Sequence, residues 1–235
     1  MYHRQLAGIH DQWFKEHSLA AARLLSRWIP QPKGPIVDIG CGSGVLLEQF
    51  KEIIPEGYGY DLSPEMIRLA QEKVPDYQFE VSDLFETRFP RAEIVVAVGE
   101  IISYAAADRS NFEEDLKAFF AYIHDHLIAN GIFLFDCLID EYDFNYHKVI
   151  ENEGYIIGVI SALEDDIVTR EIVSFLPKGH LFEKSREVHR QRVFKIRSLK
   201  QLLLDTGFEV QTIESYDDYR LPPGRIGFRC RPRES

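Results

Sequence analysis

The chain has 235 residues, 45% of them hydrophobic and 28% charged, enough to bury a sizeable core as one domain plus an insertion. Its 38 acidic and 27 basic residues leave a net charge of −11, a field that repels phosphate backbones and disfavours a nucleic-acid partner. Three scattered cysteines, Cys41, Cys137 and Cys230, exclude a disulfide framework or a zinc knuckle; no basic leader and no run of about 18 apolar residues appears, so the expectation is a cytoplasmic protein with no membrane partner.

Residues 1–30 read as a helix with an apolar stripe at Leu6, Ile9, Trp13, Phe14, Leu19, Ala20, Leu24, Leu25 and Trp28, broken by Pro30, Pro32 and Pro35. The next stretch, residues 36–45, begins as a short buried strand and turns through Gly40, Gly42 and Gly44. It then enters a helix whose apolar face reads Val45, Leu46, Leu47, Phe50, Ile53 and Ile54. Glycine there opens backbone angles closed to other residues and lets a ligand lie against the main chain, while the helix start offers unpaired N–H groups. The spacing is G-x-G-x-G, neither the G-x-G-x-x-G of a dinucleotide turn nor the G-x-x-x-x-G-K-[ST] of a phosphate loop.

Val-Asp-Ile-Gly-Cys-Gly-Ser-Gly at residues 37–44 resembles the first motif of the class I S-adenosylmethionine (SAM) dependent methyltransferases, small-molecule branch. The resemblance implies an α/β fold: a Rossmann-like, seven-stranded, mostly parallel sheet with helices on both faces and its last strand antiparallel. It also implies S-adenosyl-L-methionine as cofactor, S-adenosyl-L-homocysteine as product, and Asp38, Gly40, Cys41, Gly42 and Gly44 holding the methionine part. In many small-molecule members a preceding helix closes over the cofactor; here Tyr2, His10, Trp13 and Phe14 stand where such a cover would be.

Tyr58 to Asp61 reads as a second strand ending in a carboxylate, followed by Ser63 as N-cap, Pro64 at the first helical position and Glu65 at the positive end of the dipole. A carboxylate beyond a strand end can accept two hydrogen bonds from a ribose diol. Asp61-Leu62-Ser63-Pro64-x-Met66 is similar to the second methyltransferase motif, which adds Asp61, Leu62 and Met66 to the cofactor set. Tyr77 to Val81 runs into Ser82-Asp83-Leu84, where the resemblance implies an acid on the adenine amino group and a neighbour on the ring. Ala92 to Val98 is a central parallel strand, ending in Gly99-Glu100-Ile101-Ile102-Ser103-Tyr104. Ligands of open α/β sheets sit outside such strand ends, so Gly99 and Glu100 are expected to meet the cofactor there.

Ser110 with Glu113 reads as a capping box for a helix with Phe112, Leu116, Phe119, Phe120, Ile123 and Leu127 buried and Asn130-Gly131 as its stop. His124 and His126 point about 200° apart on that helix and cannot share a metal. Ile132 to Leu138 is the fifth strand. From residue 139 to 194 alternation replaces helical period: strands at Tyr155 to Leu163, Ile167 to Leu176 and Lys184 to Phe194 predict a three-stranded antiparallel insert. Glu187, His189, Gln191 and Val193 share one face of its last strand; Val188, Arg190, Arg192 and Phe194 share the other. A second capping box, Ser198 with Gln201, opens a helix that stops at Gly207. Phe208 to Ile213 and Arg225 to Arg231 follow as a final hairpin.

The expected organisation is residues 1–30 as a helical cover, 31–138 as the SAM-binding core, 139–194 as a substrate-covering insert and 195–235 completing the core. The expected activity is methyl transfer from SAM to a small-molecule acceptor. Glu100, Tyr104 and His189 are the catalytic candidates; Tyr104, Arg190 and Arg192 are the substrate-binding ones, an arginine fork suiting a carboxylate. No metal site is expected, and a homodimer is compatible with the sequence. Two alternatives stay open: a protein or RNA acceptor, and a SAM-binding module without catalysis.

Overall fold

The structure, a computed structural model, describes residues 4–152, 154–179 and 181–233, with the side chains of 4–14, 152 and 178 outside that description. The cover role expected of Tyr2, His10, Trp13 and Phe14 therefore lies outside the described residues. Apolar, β-branched runs form the middle of a parallel sheet: β1 (Ile36–Ile39) is buried throughout, and β4 (Ala92–Ala97) and most of β5 (Leu127–Ile139) are buried likewise. The strand β2 (Gly57–Asp61) pairs with β1, and β3 (Gln78–Val81), mostly exposed, forms the edge. The order β3-β2-β1-β4-β5 continues through β13 (Arg225–Pro232), antiparallel to β5, to β10 (Phe208–Ile213), antiparallel to β13. This is the expected seven-stranded sheet, with one antiparallel strand near its edge.

Helices cover both faces. The second half of α1 (Arg4–Trp28), α2 (Val45–Glu48) and α3 (Pro64–Lys73) pack on one side through Ala21, Leu25, Leu47 and Ile67. Joining them is a small hairpin of β11 (Ser215–Tyr216) and β12 (Tyr219–Arg220). On the other side lie α4 (Ile101–Ala106), α5 (Phe112–His126) and α6 (Ile196–Asp205), through Ile102, Phe119, Phe120 and Leu203. Among the described residues no helix is long and apolar enough to cross a membrane.

The insert has four strands rather than three. β6 (Tyr146–Asn152), β7 (Tyr155–Glu164), β8 (Ile167–Lys178) and β9 (Leu181–Phe194) form an antiparallel meander. It joins the main sheet where Leu138 and Ile139 of β5 pair with Val193 and Phe194. The run Tyr146-His147-Lys148-Val149-Ile150 lacks clean alternation, which hid β6 from the sequence pattern.

Local chemistry differs from expectation at four places. The helix after the glycine turn is a single turn, and Ile53 beyond it is 51% exposed instead of buried. Neither capping box forms: α5 starts at Phe112 behind Asn111, and α6 starts at Ile196, so Ser198 lies inside the helix and Gln201 bonds Asp205. The Asn130-Gly131 pair does not end α5, which stops at His126. Asn130, at φ 65°, sits instead in a register shift where Ala92 pairs Leu127 but Ile94 pairs Ile132. A left-handed Asn suits such a bulge as well as it suits a helix stop.

The Phe135 and Phe228 rings, on adjacent β5 and β13, stack at 4.8 Å with a 6° interplanar angle, and both are fully buried. Phe228→Ala is expected to lower unfolding stability by about 3–5 kcal/mol through the cavity it leaves, measured by urea denaturation.

Candidate active site

The strand order reverses between β1 and β4, so the connections leaving these two strands diverge and open a crevice at their carboxyl ends. The glycine turn, residues 40–44, stands on one side of it. Gly40 N and Cys41 N donate to the Tyr60 carbonyl at 2.7 and 2.9 Å, fastening the turn to β2. Gly40, Gly42 and Gly44 are all left-handed, and a Cβ on Gly42 would meet nothing within 4 Å. Opposite, after β4, Gly99 has φ +97° and is equally open above. Bare backbone thus faces free space on both walls, as a ligand lying against the main chain requires.

The acids expected at the strand ends are linked through these turns. Asp61 accepts Gly42 N at 2.9 Å and Ser63 N at 2.8 Å, and its carbonyl accepts Ser82 N at 3.1 Å. Ser63 caps α3 by accepting from Met66 N. Asp83 accepts Phe85 N at 2.9 Å and Arg109 Nη2 at 3.0 Å. Asp38 is only 3% exposed; burial, and then the charge of Asp61, push its carboxyl up to about 7. Burial also raises Asp61, partly offset by its two backbone donors. Leu62 is exposed beside these groups, whereas Met66 and Leu84 are buried; the Leu84 side chain packs in the core, leaving only its backbone for a ligand. Cys41 is buried, and burial holds its thiol well above the ordinary value.

Glu100 is not placed as a general base. Its residue is left-handed at φ 63°, and its buried carboxylate accepts from Arg225 Nε at 2.8 Å, from Arg170 Nη1 at 3.2 Å, from Arg225 Nη2 and from Gln191. Burial alone would raise its pKa, but the Arg225 and Arg170 guanidiniums outweigh burial and hold it below the ordinary carboxylate value. A base at neutral pH needs the opposite shift. Asp136, fully buried on β5, accepts Gly99 N at 3.0 Å, Glu100 N at 2.7 Å and the Tyr216 hydroxyl at 2.9 Å, and meets His17 Nε2 at 3.1 Å. Its carboxyl too is held far below the ordinary value: burial opposes, while Arg225 and His17 prevail.

The insert lays a polar row beside this cluster. Tyr146, Ser161, Arg170 and His189 are directly paired across its four strands and share one face. His189 Nδ1 lies 2.9 Å from the Tyr104 hydroxyl on α4, and its Nε2 lies 2.9 Å from Glu187. Arg190 and Arg192 point to the other face. Arg190 pairs with Asp108 on the surface; Arg192 donates to the Ala106 carbonyl, pairs with Asp166 and covers the Phe112 ring at 3.9 Å. Their guanidiniums are struts between insert and core, and the expected substrate contact is corrected accordingly. Arg170, Gln191, Arg225, Asp136, His17, Tyr216 and Glu187 were missed. Glu187 and Gln191 were detectable, since they share a strand face with His189; the rest needed the pairing register.

Two measurements test these charges. The folded value of Asp38, about 7, lies above its unfolded value of 3.8, so stability without a cationic ligand falls as pH rises between them. Asp38→Asn should therefore raise the melting temperature more at pH 8 than at pH 5. Glu100→Gln keeps the shape but leaves Arg225 and Arg170 under-neutralised; a loss of roughly 3–5 kcal/mol is expected in denaturant unfolding, and an unchanged midpoint contradicts the cluster.

Residues 36–131 match the family model described as a methyltransferase domain. The chain is similar to the putative methyltransferase YqeM of Bacillus subtilis (strain 168), 26% identical over 215 residues, 87% of this chain and 81% of that one. Its fold is that of a S-adenosylmethionine-dependent methyltransferase from Clostridium acetobutylicum ATCC 824, with TM-score 0.83 over 97% and 98% of the two chains at 18% identity. It is also that of SAM-bound CalS10, an amino pentose methyltransferase from Micromonospora echinaspora, with TM-score 0.77 over 97% and 98% at 16% identity. The chain is therefore a methyltransferase, with its methyltransferase domain at residues 36–131 and the fold of the S-adenosylmethionine-dependent enzymes.

Proposed function

We propose that this enzyme transfers a methyl group from SAM to an amine of a small-molecule acceptor, an amino sugar being the class closest to hand. The observation that carries the cofactor half is the pair of open glycine backbones, Gly42 in the turn after β1 and Gly99 after β4, each with its N–H on a carboxylate, Asp61 and Asp136. SAM supplies an activated methyl on a sulfonium. Its positive charges suit Asp38, Asp61 and Asp83 better than those of a phosphate-bearing nucleotide would. Asp61 spends two acceptor sites on Gly42 and Ser63 and keeps others for a ribose diol. Gly40, Cys41 and Gly44 shape the methionine end; Leu62, Met66, Ser82, Asp83 and the Leu84 backbone border the adenine end.

The acceptor half rests on the insert. The insert, residues 139–194, carries His189 to 2.9 Å from the Tyr104 hydroxyl on α4, the helix that follows β4, which supports a nucleophile approaching the methyl from this side. The protein's task is chiefly to hold that nucleophile in line, since orientation supplies much of the rate of a bimolecular transfer. A small acceptor agrees with an insert docked against α4 and the end of β5, with the acidic charge balance, and with the amino pentose named for CalS10. Three buried, unpaired cysteines support a reducing, cytoplasmic setting.

Incubation with methyl-labelled SAM and a panel of amino sugars, free and nucleotide-linked, should give labelled amine product; label confined to hydroxyl or carboxyl acceptors would sink the amine. In calorimetry Asp61→Ala should weaken SAM binding by about 1–3 kcal/mol, the cost of lost buried hydrogen-bonding capacity, and an unchanged affinity removes the ribose role.

A further inference from the structure

We propose that Arg229 and Arg231, on the α1 side of β13, form a seat for the phosphate group of a small molecule, apart from the methyl-transfer crevice. Alternate residues of β13 share a face, so Arg225, Gly227, Arg229 and Arg231 stand in one column. Arg225, opposite Leu138 near the carboxyl end of β5, belongs to the buried cluster at the crevice. Arg229 and Arg231 follow about 14 and 20 Å further along the strand.

Missing charge balance sets this pair apart. Arg109, Arg170, Arg192 and Arg225, the other half-buried arginines among the described residues, each hold a carboxylate. Arg229 has the Gln211 amide oxygen at 3.4 Å, and Arg231 has no partner among the described residues. Both Nε atoms are buried without a hydrogen bond. Glu209 stands directly across from Arg231 on β10, yet it is exposed and forms no ion pair with it. Burial, and then the charge of Arg231, hold Arg229 below the ordinary arginine value. A half-buried cation without a counter-charge is costly. The chain carries 38 acidic residues, so the shortage is local, and an anion from outside would relieve it.

The spacing favours a phosphate over a carboxylate. The Arg229 guanidinium lies over the Trp28 ring, 4.4 Å from its centre, which limits its freedom before any ligand arrives. Arginines two apart on a strand are separated by roughly 7 Å at Cα, a gap that one tetrahedral oxyanion can bridge by giving oxygens to each fork. A carboxylate has two oxygens on one edge; it satisfies one fork and leaves the other bare.

Nitrogen–proton NMR of the arginine Nε groups, in the full chain at low ionic strength, reads the seat directly. Inorganic phosphate should shift the Arg229 and Arg231 Nε signals and the Trp28 indole signal to saturation, while the Gly42 and Gly99 amides at the crevice stay in place. Arg231→Gln should weaken phosphate binding by about tenfold, and Arg231→Lys should recover only part of it, because lysine returns the charge without the fork. Arg229→Gln would also disturb the Trp28 stack, so Arg231 is the position varied, and an unchanged melting temperature shows that its variants are folded. Chloride at equal ionic strength should leave the signals where they are. Glycerol 3-phosphate separates the two sources of the group: binding at least as tight as phosphate assigns the seat to a phosphate ester, weaker binding to the free ion. Shifts that do not saturate, equal shifts with chloride, movement at the crevice amides instead, or undiminished affinity in Arg231→Gln overturns the proposal.

Discussion

A buried cluster of two carboxylates and two guanidiniums is the constraint on which the site depends. Asp136 from β5, Glu100 from the end of β4, Arg225 from β13 and Arg170 from β8 balance one another's charge, with Gln191, Tyr216 and His17 completing the bonds. Such a cluster is a poor source of stability, because desolvation consumes most of the Coulomb gain. What it provides is geometry. Each member is intolerant of losing its partners, so the main sheet, the C-terminal hairpin and the insert can dock in only one way.

The same cluster shapes the crevice. Gly99 and Glu100 both adopt left-handed backbone, a costly conformation for a glutamate, and both N–H groups are taken by the Asp136 carboxylate. Strain at the end of β4 is thereby offset from the neighbouring strand, and the turn stays open where the reversal of strand order leaves room for a ligand. On the opposite wall the Asp61 carboxylate serves the glycine turn in a similar way, through Gly42. Two acids, each on the strand beside the turn it holds, pin the two lips of one cleft.

The insert adds a polar row beside the end of β4. It touches the core through α4 as well as through the short parallel pairing to β5, and the polar row on its inner face meets Tyr104 on one side and Glu100 on the other. Its outer face carries Val149, Ile160 and Val188 to solvent, so the two faces are chemically distinct. Arg190 and Arg192, on that outer face, act as braces.

The sequence by itself determined the parallel sheet, the glycine turn and the acids at successive strand ends, because each is a local matter: β-branched runs, left-handed angles open to glycine, and a carboxylate followed by a helix cap. It also placed the final antiparallel hairpin and three of the four insert strands, where alternation is strong. Local words misled where two structures accept the same word, as at Asn130-Gly131, which serves a strand bulge as readily as a helix stop. Only the tertiary structure decided what Glu100 does, because a carboxylate at a strand end reads as a base until two arginines from residues 70 and 125 positions away are brought against it. It decided likewise which arginines face the crevice, since the inward side of an antiparallel sheet is fixed by how the sheet docks and alternation merely separates two sides.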